Sequence, residues 1–568
     1  MKKRWEKKAT IPAEQLTQKA KQLGTNTFYT QLLLNREIET QDQARIFFNP
    51  ALTDLHDPFS MRDMDKAVSR IHQAFINSET VWIYGDYDVD GTTSVALMFG
   101  FLRQFIPDIH YYIPDREKEG YGLSDKAVSI AIKQKVDLII TLDCGIRSVD
   151  LVKKGQDEGV DFIICDHHEV GEELPKAVAV LDPKRPDCAY PYKSLSACGV
   201  GFKLTQAMCS FWEHPIELAL DSLDLVAVSI ASDLVPITGE NRVLAFHGLK
   251  KLETKPTRGL KTIIEKFMSA RSIDITNIVF MIGPRINAAG RIAAADTAVK
   301  LLLAEDDIDA DALSLQLNEY NTTRRSLDQD ITEQALQLLK DDLSYPNKKT
   351  TVVFQPDWHK GVVGIVASRL LENYYKPTIV LTKKDDKIVG SARSIEGFDI
   401  YQALVQCQQY LNQFGGHQFA AGLTMETSQL RAFKEAFENQ ASHLTEDQLT
   451  KKYRYESEIT LQSVTSNLYT NIKRFAPFGP DNMKPVFRSN AVFDTGSART
   501  MGKAGEHLKL NLVQNLGQKA IGATAFGFGS LYPAIKDGST MDVLFTIEEN
   551  TFRGDPTIEL MIQDIQLF

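Results

Sequence analysis

The sequence has no excess of positive charge: 64 Lys and Arg stand against 74 Asp and Glu, a formal net charge of −10 over 568 residues. Overall basicity therefore announces no polyanionic partner, and excludes none, because a cleft can be locally positive on an acidic protein. Cysteine is scarce. The six residues Cys144, Cys165, Cys188, Cys198, Cys209 and Cys407 show no paired spacing, which argues against a disulfide scaffold and fits a reducing cytosol. No stretch approaches the roughly 20 apolar residues of a membrane span. No apolar run follows the basic MKKRWEKK, which reads as a solvated tail and not a signal peptide. Internal repeats and low-complexity segments are missing too. These absences lead to the expectation of a soluble, cytoplasmic monomer with no membrane partner. The chain that remains is 43% hydrophobic, enough for large cores and for three or four domains.

From Thr80 short β-rich runs alternate with amphipathic stretches: VWIY, IHYYI and VDLIITL are each followed by a helical pattern, and VDFIIC leads to a Pro-rich crossing, LDPKRPDCAYPY. Such alternation predicts βαβ units and a parallel sheet covered by helices. Before it, residues 1–75 read as an N-terminal helical extension with breaks at Asn49-Pro50 and Asp57-Pro58. The first α/β domain is placed at 76–304. Residues 305–345, whose polar-faced pattern lacks Gly and Pro over most of its length, predict a connecting helix. A second α/β domain is placed at 346–450, with strands TTVVF and PTIVL and a Gly-rich FGGHQFAAG. Short runs such as HLKLNLVQ and MDVLFTI over 451–568 predict a small β-barrel.

Sites in parallel α/β sheets form at the carboxyl ends of strands, and acids crowd there. VWIY runs into Asp86, Asp88 and Asp90; VDLIITL ends at Asp143; VDFIIC ends at Asp166-His167-His168; a further apolar run, LVAVSIA, delivers Asp233. Carboxylates packed this closely raise one another's pKa and do not stay ionised without a cation. Oxygen-rich ligation with one or two imidazoles suits Mn²⁺ or Mg²⁺ more than Zn²⁺. An extended Asp88-Val89-Asp90 would put both carboxylates on one side, and Gly91 permits tight entry into the next helix. For any single member a helix cap is an equal reading. Taken together, a DxD and a DHH at successive strand ends are not explained by capping. Asp86 is expected to orient a ligand from behind, and Asp166 to partner the adjacent imidazole. Cys144 and Cys165 lack zinc spacing and read as small buried residues.

GDYDVDG, TLDCG, CDHH and SDLVP, in that order, resemble the DHH phosphoesterase superfamily. With GPRINAAGR (283–291) and FGGHQFAAG (414–422) the chain resembles, within that superfamily, the RecJ family of single-strand-specific 5′→3′ exonucleases. The resemblance runs from about residue 60 onward and implies a DHH domain joined by a long helix to a DHHA1 domain, then an OB-fold. It implies two divalent cations, one on Asp88 and Asp143, the other on Asp90, Asp143, His167 and Asp233, with Asp143 bridging. His168 would face the scissile phosphate, Asp166 acting beside it. Where other branches of the superfamily carry a His, this sequence has Tyr84, which leaves the first ion's shell incomplete. Single-stranded DNA is the implied substrate; a single-strand-binding protein and a helicase are the implied partners.

For substrate grip, Arg285, Asn287 and Arg291 of GPRINAAGR suggest phosphate approaching backbone, against the alternative of salt bridges at a domain seam. Ser391 and Arg393 of GSARS, with Gly415-Gly416-His417, suggest a nest for a 5′-terminal phosphate. Arg116 is a further candidate clamp, or an ordinary exposed arginine. Trp358 and His359 read as core and capping residues. Asn318, Asn321, Arg324 and Arg325 lie at near-helical spacing, on a solvated face or along the cleft. In the barrel, Phe475, Phe478, Phe487 and Phe493 alternate with Lys473, Arg474 and Arg488, a pattern for stacking bases, though many of these rings must be core. The rival functions are a phosphodiesterase for cyclic dinucleotides or short oligonucleotides, and a non-catalytic DNA-binding scaffold.

Overall fold

The computed structural model describes residues 3–268, 272–550 and 556–568. Strands are β1 (Lys3–Lys7), β2 (Val81–Gly85), β3 (Ile109–Tyr112), β4 (Leu138–Leu142), β5 (Asp161–Cys165), β6 (Ala179–Leu181), β7 (Thr351–Phe354), β8 (Thr378–Lys384), β9 (Lys387–Arg393), β10 (Gln413–His417), β11 (Ala420–Glu426), β12 (Lys451–Tyr455), β13 (Ser457–Glu458), β14 (Phe487–Asp494), β15 (Arg499–Met501), β16 (His507–Val513), β17 (Ile521–Ala525), β18 (Met541–Asn550) and β19 (Thr557–Leu567). The first sheet is all parallel, in the order β3-β2-β4-β5-β6. Along β2, Val81 and Ile83 enter one core while Trp82 and Tyr84 enter another on the opposite face. Both faces are thus covered, which is why these strands read as unbroken apolar runs rather than alternating ones.

In this order the chain leaves β2 first to one side, to β3, and then returns to the other side, to β4. The β2/β4 junction is the topological switch point of the sheet, where a crevice opens between diverging connections. Asp86 and Asp88 follow β2 there, and Asp143 follows β4.

The helix Asp307–Asp341, capped by the Asp306 side chain accepting from Asp309 N, is roughly 50 Å long at 1.5 Å per residue. It leads to a second sheet of order β10-β11-β9-β8-β7, in which only β7 and β8 run parallel. The third sheet has seven strands, β13-β14-β18-β19-β17-β16-β15, and a β14–β16 pairing closes it into a ring. This is the expected order of an α/β body, connecting helix, second α/β body and barrel.

Two expectations need correction. The basic tail is not free: within the described residues, Lys3–Lys7 forms β1, parallel to β12. Its anchor is the nearly inaccessible Asp564, which accepts from Trp5 Nε1 at 2.7 Å and from Lys3 Nζ at 2.6 Å. The helix Met64–Asn77 sends Met64, Ala67, Val68, Ile71 and Ala74 into the core under the first sheet. By packing it belongs to that body, so the boundary drawn after residue 75 falls inside a helix.

Candidate metal centre

The DVD segment is not extended. Asp88 is the cap of the helix Val89–Leu102, its side chain accepting from Gly91 N at 3.0 Å, and Asp90 lies in the first turn. A Cβ on Gly91 would run into the Asp86 carbonyl, so this glycine allows the chain to fold back on its own strand end. The helical turn aims Asp90 across the sheet, where it accepts from Ala197 N (2.8 Å), Cys198 N (2.9 Å) and Ser229 Oγ (2.7 Å). The amides belong to the N-terminus of the helix Ala197–Phe211, which favours a negative charge. Asp143 sits at a backbone φ of 63°, a left-handed conformation unusual for a non-glycine residue and often met at functional sites. Asp233 ends the helix Leu223–Ser232 rather than a strand, and its side chain is 29% exposed.

His167 joins these groups. Its Nδ1 lies 3.1 Å from the Leu195 carbonyl, which only accepts, so Nδ1 carries the hydrogen and Nε2 presents a lone pair. That lone pair faces Asp143 Oδ1 at 3.2 Å, Asp90 Oδ2 at 3.7 Å and Asp233 Oδ2 at 3.8 Å. Burial keeps the imidazole neutral, lowering its pKa despite the acids around it. A neutral histidine held by a carbonyl is the form that binds metal.

Potential ligand atoms fall into three overlapping groups, each within 4.8 Å: Asp86, Asp88 and Asp143; Asp143, His167 and His168; Asp90, His167 and Asp233. Asp86 therefore stands among the ligand candidates rather than behind them. It accepts a 3.3 Å bond from Gly122 N, and its Oδ2 is buried with no hydrogen-bond partner among the described residues. Burial, and then the neighbouring carboxylates, push Asp86, Asp143 and Asp233 far above the carboxylate range and raise Asp88. An orphaned buried oxygen, a crowd of acids and a lone pair aimed at them fit divalent cations with oxygen-rich ligation. Tyr84 offers nothing here: it is fully buried, and its hydroxyl donates to the Gly122 carbonyl at 2.8 Å.

Asp166 is turned away from this crowd. Its Oδ1 accepts from His167 N (2.8 Å), His168 N (3.2 Å) and His168 Nδ1 (2.7 Å), and its Oδ2 from Ile146 N (2.9 Å). Burial alone would raise its pKa, but the bonds, above all the one to His168, and the His168 charge bring it down to about 2. Burial opposes a charge on His168 more than any single contact favours one, yet the bond and charge of Asp166, with Asp233 and Asp90 adding, together raise the imidazole pKa. Tyr121, which the sequence reading did not single out, lies with its hydroxyl 3.0 Å from His168 Nε2 and 3.2 Å from the Asp143 carbonyl. Its position in the loop following β3 was the available signal.

Arg116, Arg291 and Arg393 form one group, in which Arg291 lies near Asp88 and Arg116 near Asp86. Arg116 lies over the Tyr87 ring at 5.1 Å. Arg291 donates to the Gly361 carbonyl at 3.1 Å, and Arg393 donates to Ser391 Oγ at 2.9 Å. Burial first, and then neighbouring arginines, lower the pKa of Arg393 and bring that of Arg291 down to about 10. Gly364, in the helix Val363–Tyr374, lets Ser391 and Arg393 pack closely; an added Cβ would meet them at 3.0 and 3.1 Å. In the sheet register His417, Ala420 and Arg393 form one row, so His417 stands two strands from Arg393 on the free edge, with Gly415 and Gly416 exposed beside it.

Other candidates go elsewhere. Arg285 is buried in the seam, donating to the Met281 carbonyl and to Asn318 over the Phe267 ring. Gly290 serves a close approach to Tyr87, whose carbonyl would lie 2.7 Å from an added Cβ, so it brings helix to loop rather than backbone to phosphate. Asn287 is half-buried on the same helix, and Asn321 accepts from Arg324. Trp358 is buried, with Nε1 donating to Gln334, and His359 Nδ1 accepts from Gly361 N. In the barrel Phe475 and Phe487 are core, while Arg488 and Lys473 pair with Asp542 and Glu549, which removes those four from a base-stacking surface.

Comparison with known proteins agrees with this organisation. The DHH family N-terminal domain matches residues 80–230, the DHHA1 domain 347–443 and the RecJ OB domain 455–564. The chain is 36% identical to the single-stranded-DNA-specific exonuclease RecJ of Bacillus subtilis over 96% of this chain and 68% of that one. It is 32% identical to that of Haemophilus influenzae over 91% and 92%. The crystal structure of RecJ in complex with Mn²⁺ from Thermus thermophilus, 26% identical, superposes with a TM-score of 0.85, covering all of this chain and 80% of the other; a Mg²⁺ complex from the same organism gives 0.79.

Proposed function

Because the chain belongs to the RecJ family of single-stranded-DNA-specific exonucleases, we propose that it hydrolyses single-stranded DNA from the 5′ end, releasing 5′-mononucleotides. It is a phosphodiester hydrolase that uses divalent cations, Mn²⁺ or Mg²⁺. Asp86, Asp88 and Asp143 would hold one ion and Asp90, His167 and Asp233 the other, with Asp143 close to both. Bound there, such ions supply the Lewis acidity and positive charge that in-line displacement at phosphorus requires. The chain's own groups do the positioning. Asp166 fixes the His168 ring through Nδ1 and favours its charged form, in which Nε2 donates to Tyr121, whose hydroxyl donates to the Asp143 carbonyl. The charged face of His168 meets a phosphate anion. Arg116, Arg291 and Arg393, with Ser391, grip the terminal phosphate, and the edge amides of Gly415 and Gly416 border the same passage. A role in DNA repair and recombination in the cytoplasm, with a single-strand-binding protein and a helicase as partners, is the setting this activity suits.

The observation that carries the proposal is the juxtaposition itself: three arginines with no ion-pair partner among the described residues border a centre too acidic to stand without cations. A cyclic dinucleotide would leave the barrel and the long helix without a use. The test is incubation of the purified protein with Mn²⁺ and a labelled oligonucleotide. Mononucleotide release from the single strand and not from blunt duplex is expected; cleavage of dinucleotides only, or binding without turnover, would overturn the reading.

A further inference from the structure

Two cations on the rim of the metal centre, Arg147 and Lys184, stand apart from the arginine group beside Asp88. Arg147 lies in the turn after β4. That turn is fixed on both sides, by Ile146 N donating to Asp166 Oδ2 at 2.9 Å and by Ser148 N donating to the Gly145 carbonyl at 2.9 Å. The Arg147 side chain is exposed and tethered at one point, Nε to the Glu169 carbonyl at 2.9 Å. Its two terminal nitrogens have no partner among the described residues.

Lys184 comes from the turn after β6, where Asp182 Oδ1 accepts its backbone N–H at 2.7 Å. Its ammonium lies 3.3 Å from Glu169 Oε1. Both cations therefore converge on Glu169, the residue that follows His168: Arg147 on its backbone carbonyl and Lys184 on its carboxylate. Across the gap stands His417 from the second α/β body. A charge on it is disfavoured by burial first, and then by Arg147 and His168, with Glu169 and Lys184 also near enough to act on it.

Folding does not call for such an arrangement. Exposed cations gain little from a surface acid, and like charges held near one another repel. An anion placed between them removes that repulsion, and a planar guanidinium with both ends free is suited to phosphate. We propose that Arg147 and Lys184 bind a second phosphate of the strand, on the His168 side of the scissile group, while Arg116, Arg291 and Arg393 hold a phosphate on the Asp88 side. The metal centre then lies between two phosphate grips, and the strand is stretched across it. This inference rests on the nuclease reading.

The test pairs protein variants with neutralised linkages. R147Q, K184Q and the double variant are assayed on a single strand in which one linkage at a time is a methylphosphonate. Wild-type turnover of the unmodified strand reports on the nuclease reading by itself. For the wild type, kcat/KM is expected to fall about tenfold when one non-scissile linkage is neutralised, the scale of one charge-assisted contact. For the double variant kcat/KM on the unmodified strand is expected to be lower, with no further fall at that same linkage. The slope of log kcat/KM against log salt should shrink by about 0.7 per cation removed. Losses that multiply at every linkage, or an unchanged salt slope in variants whose thermal midpoint matches wild type, would overturn the proposal.

Discussion

At His167 one hydrogen bond decides the chemistry. The Leu195 carbonyl takes the Nδ1 hydrogen, and the lone pair that remains at Nε2 points at three carboxylates. Asp143 is central to that crowd, and its raised pKa has a definite consequence. A carboxyl whose pKa is higher in the folded than in the unfolded state stabilises the fold below its ordinary pKa and loses that contribution as pH rises through the folded value. The metal-free protein should therefore weaken with rising pH, and cations should restore it. The gain in thermal midpoint on adding Mn²⁺ is expected to be larger near pH 8 than near pH 5, with protons released on binding. D143N should raise the metal-free midpoint near pH 8 while abolishing turnover; retained activity would contradict the shared role of Asp143. Asp182 gives a cleaner case. Burial, with the Asp166 charge adding, pushes it up to about 7, and its Oδ2 is unpartnered. D182N should match wild type below about pH 4, gain on it as pH rises from about 4 to 7, and exceed it above pH 7 by about 4 kcal/mol, read by urea unfolding; equal midpoints throughout would show the carboxyl to be solvated. Tyr121 links His168 to the Asp143 carbonyl, so Y121F should lower kcat by about tenfold to a hundredfold, the scale of a positioned catalytic contact, without lowering the midpoint. The acids at strand ends were legible because no structural need explains several of them together. Tyr121 and the orphaned oxygen of Asp86 were not, since their importance lies in contacts across loops far apart in sequence.

At the scale of elements, two close approaches hold the site. Gly91 lets the helix Val89–Leu102 fold back on the Asp86 carbonyl, and Gly290 lets the helix Gly283–Ile292 rest on Tyr87. G290A should displace that helix and with it Arg291, costing about 1–3 kcal/mol of stability and raising KM for DNA; an unchanged KM would show that Arg291 does not grip the substrate. The strands were readable because burial on both faces leaves a continuous apolar run. The extended reading of Asp88-Val89-Asp90 failed because Asp88 is an effective helix cap once glycine allows the sharp entry. The reading of the tail failed because its anchor, Asp564, lies 559 residues beyond Trp5, and a local reading of charge does not reveal so distant a partner. W5A should lower the midpoint, since it leaves Asp564 short of a donor and takes an indole from the strand.

For the molecule as a whole, charge separates by place. The chain carries a net −10, yet Arg116, Arg291 and Arg393 at the cleft have no ion-pair partner among the described residues. Activity on single strands should accordingly fall steeply with salt while the fold does not. The order of the bodies was legible from the motifs and from the change in periodicity along the chain. The way they face one another was not, because it depends on contacts such as Arg291 with Gly361 and on the approach of His417 to His168.

Acids and one histidine from four segments are placed to trap a pair of divalent cations at the switch point of the first sheet. Anomalous diffraction at the manganese edge, from crystals grown with Mn²⁺, locates such ions. Two peaks are predicted, one among Asp86, Asp88 and Asp143 and one among Asp90, His167 and Asp233. No peak at these side chains, with the ion bound elsewhere, would contradict that placement.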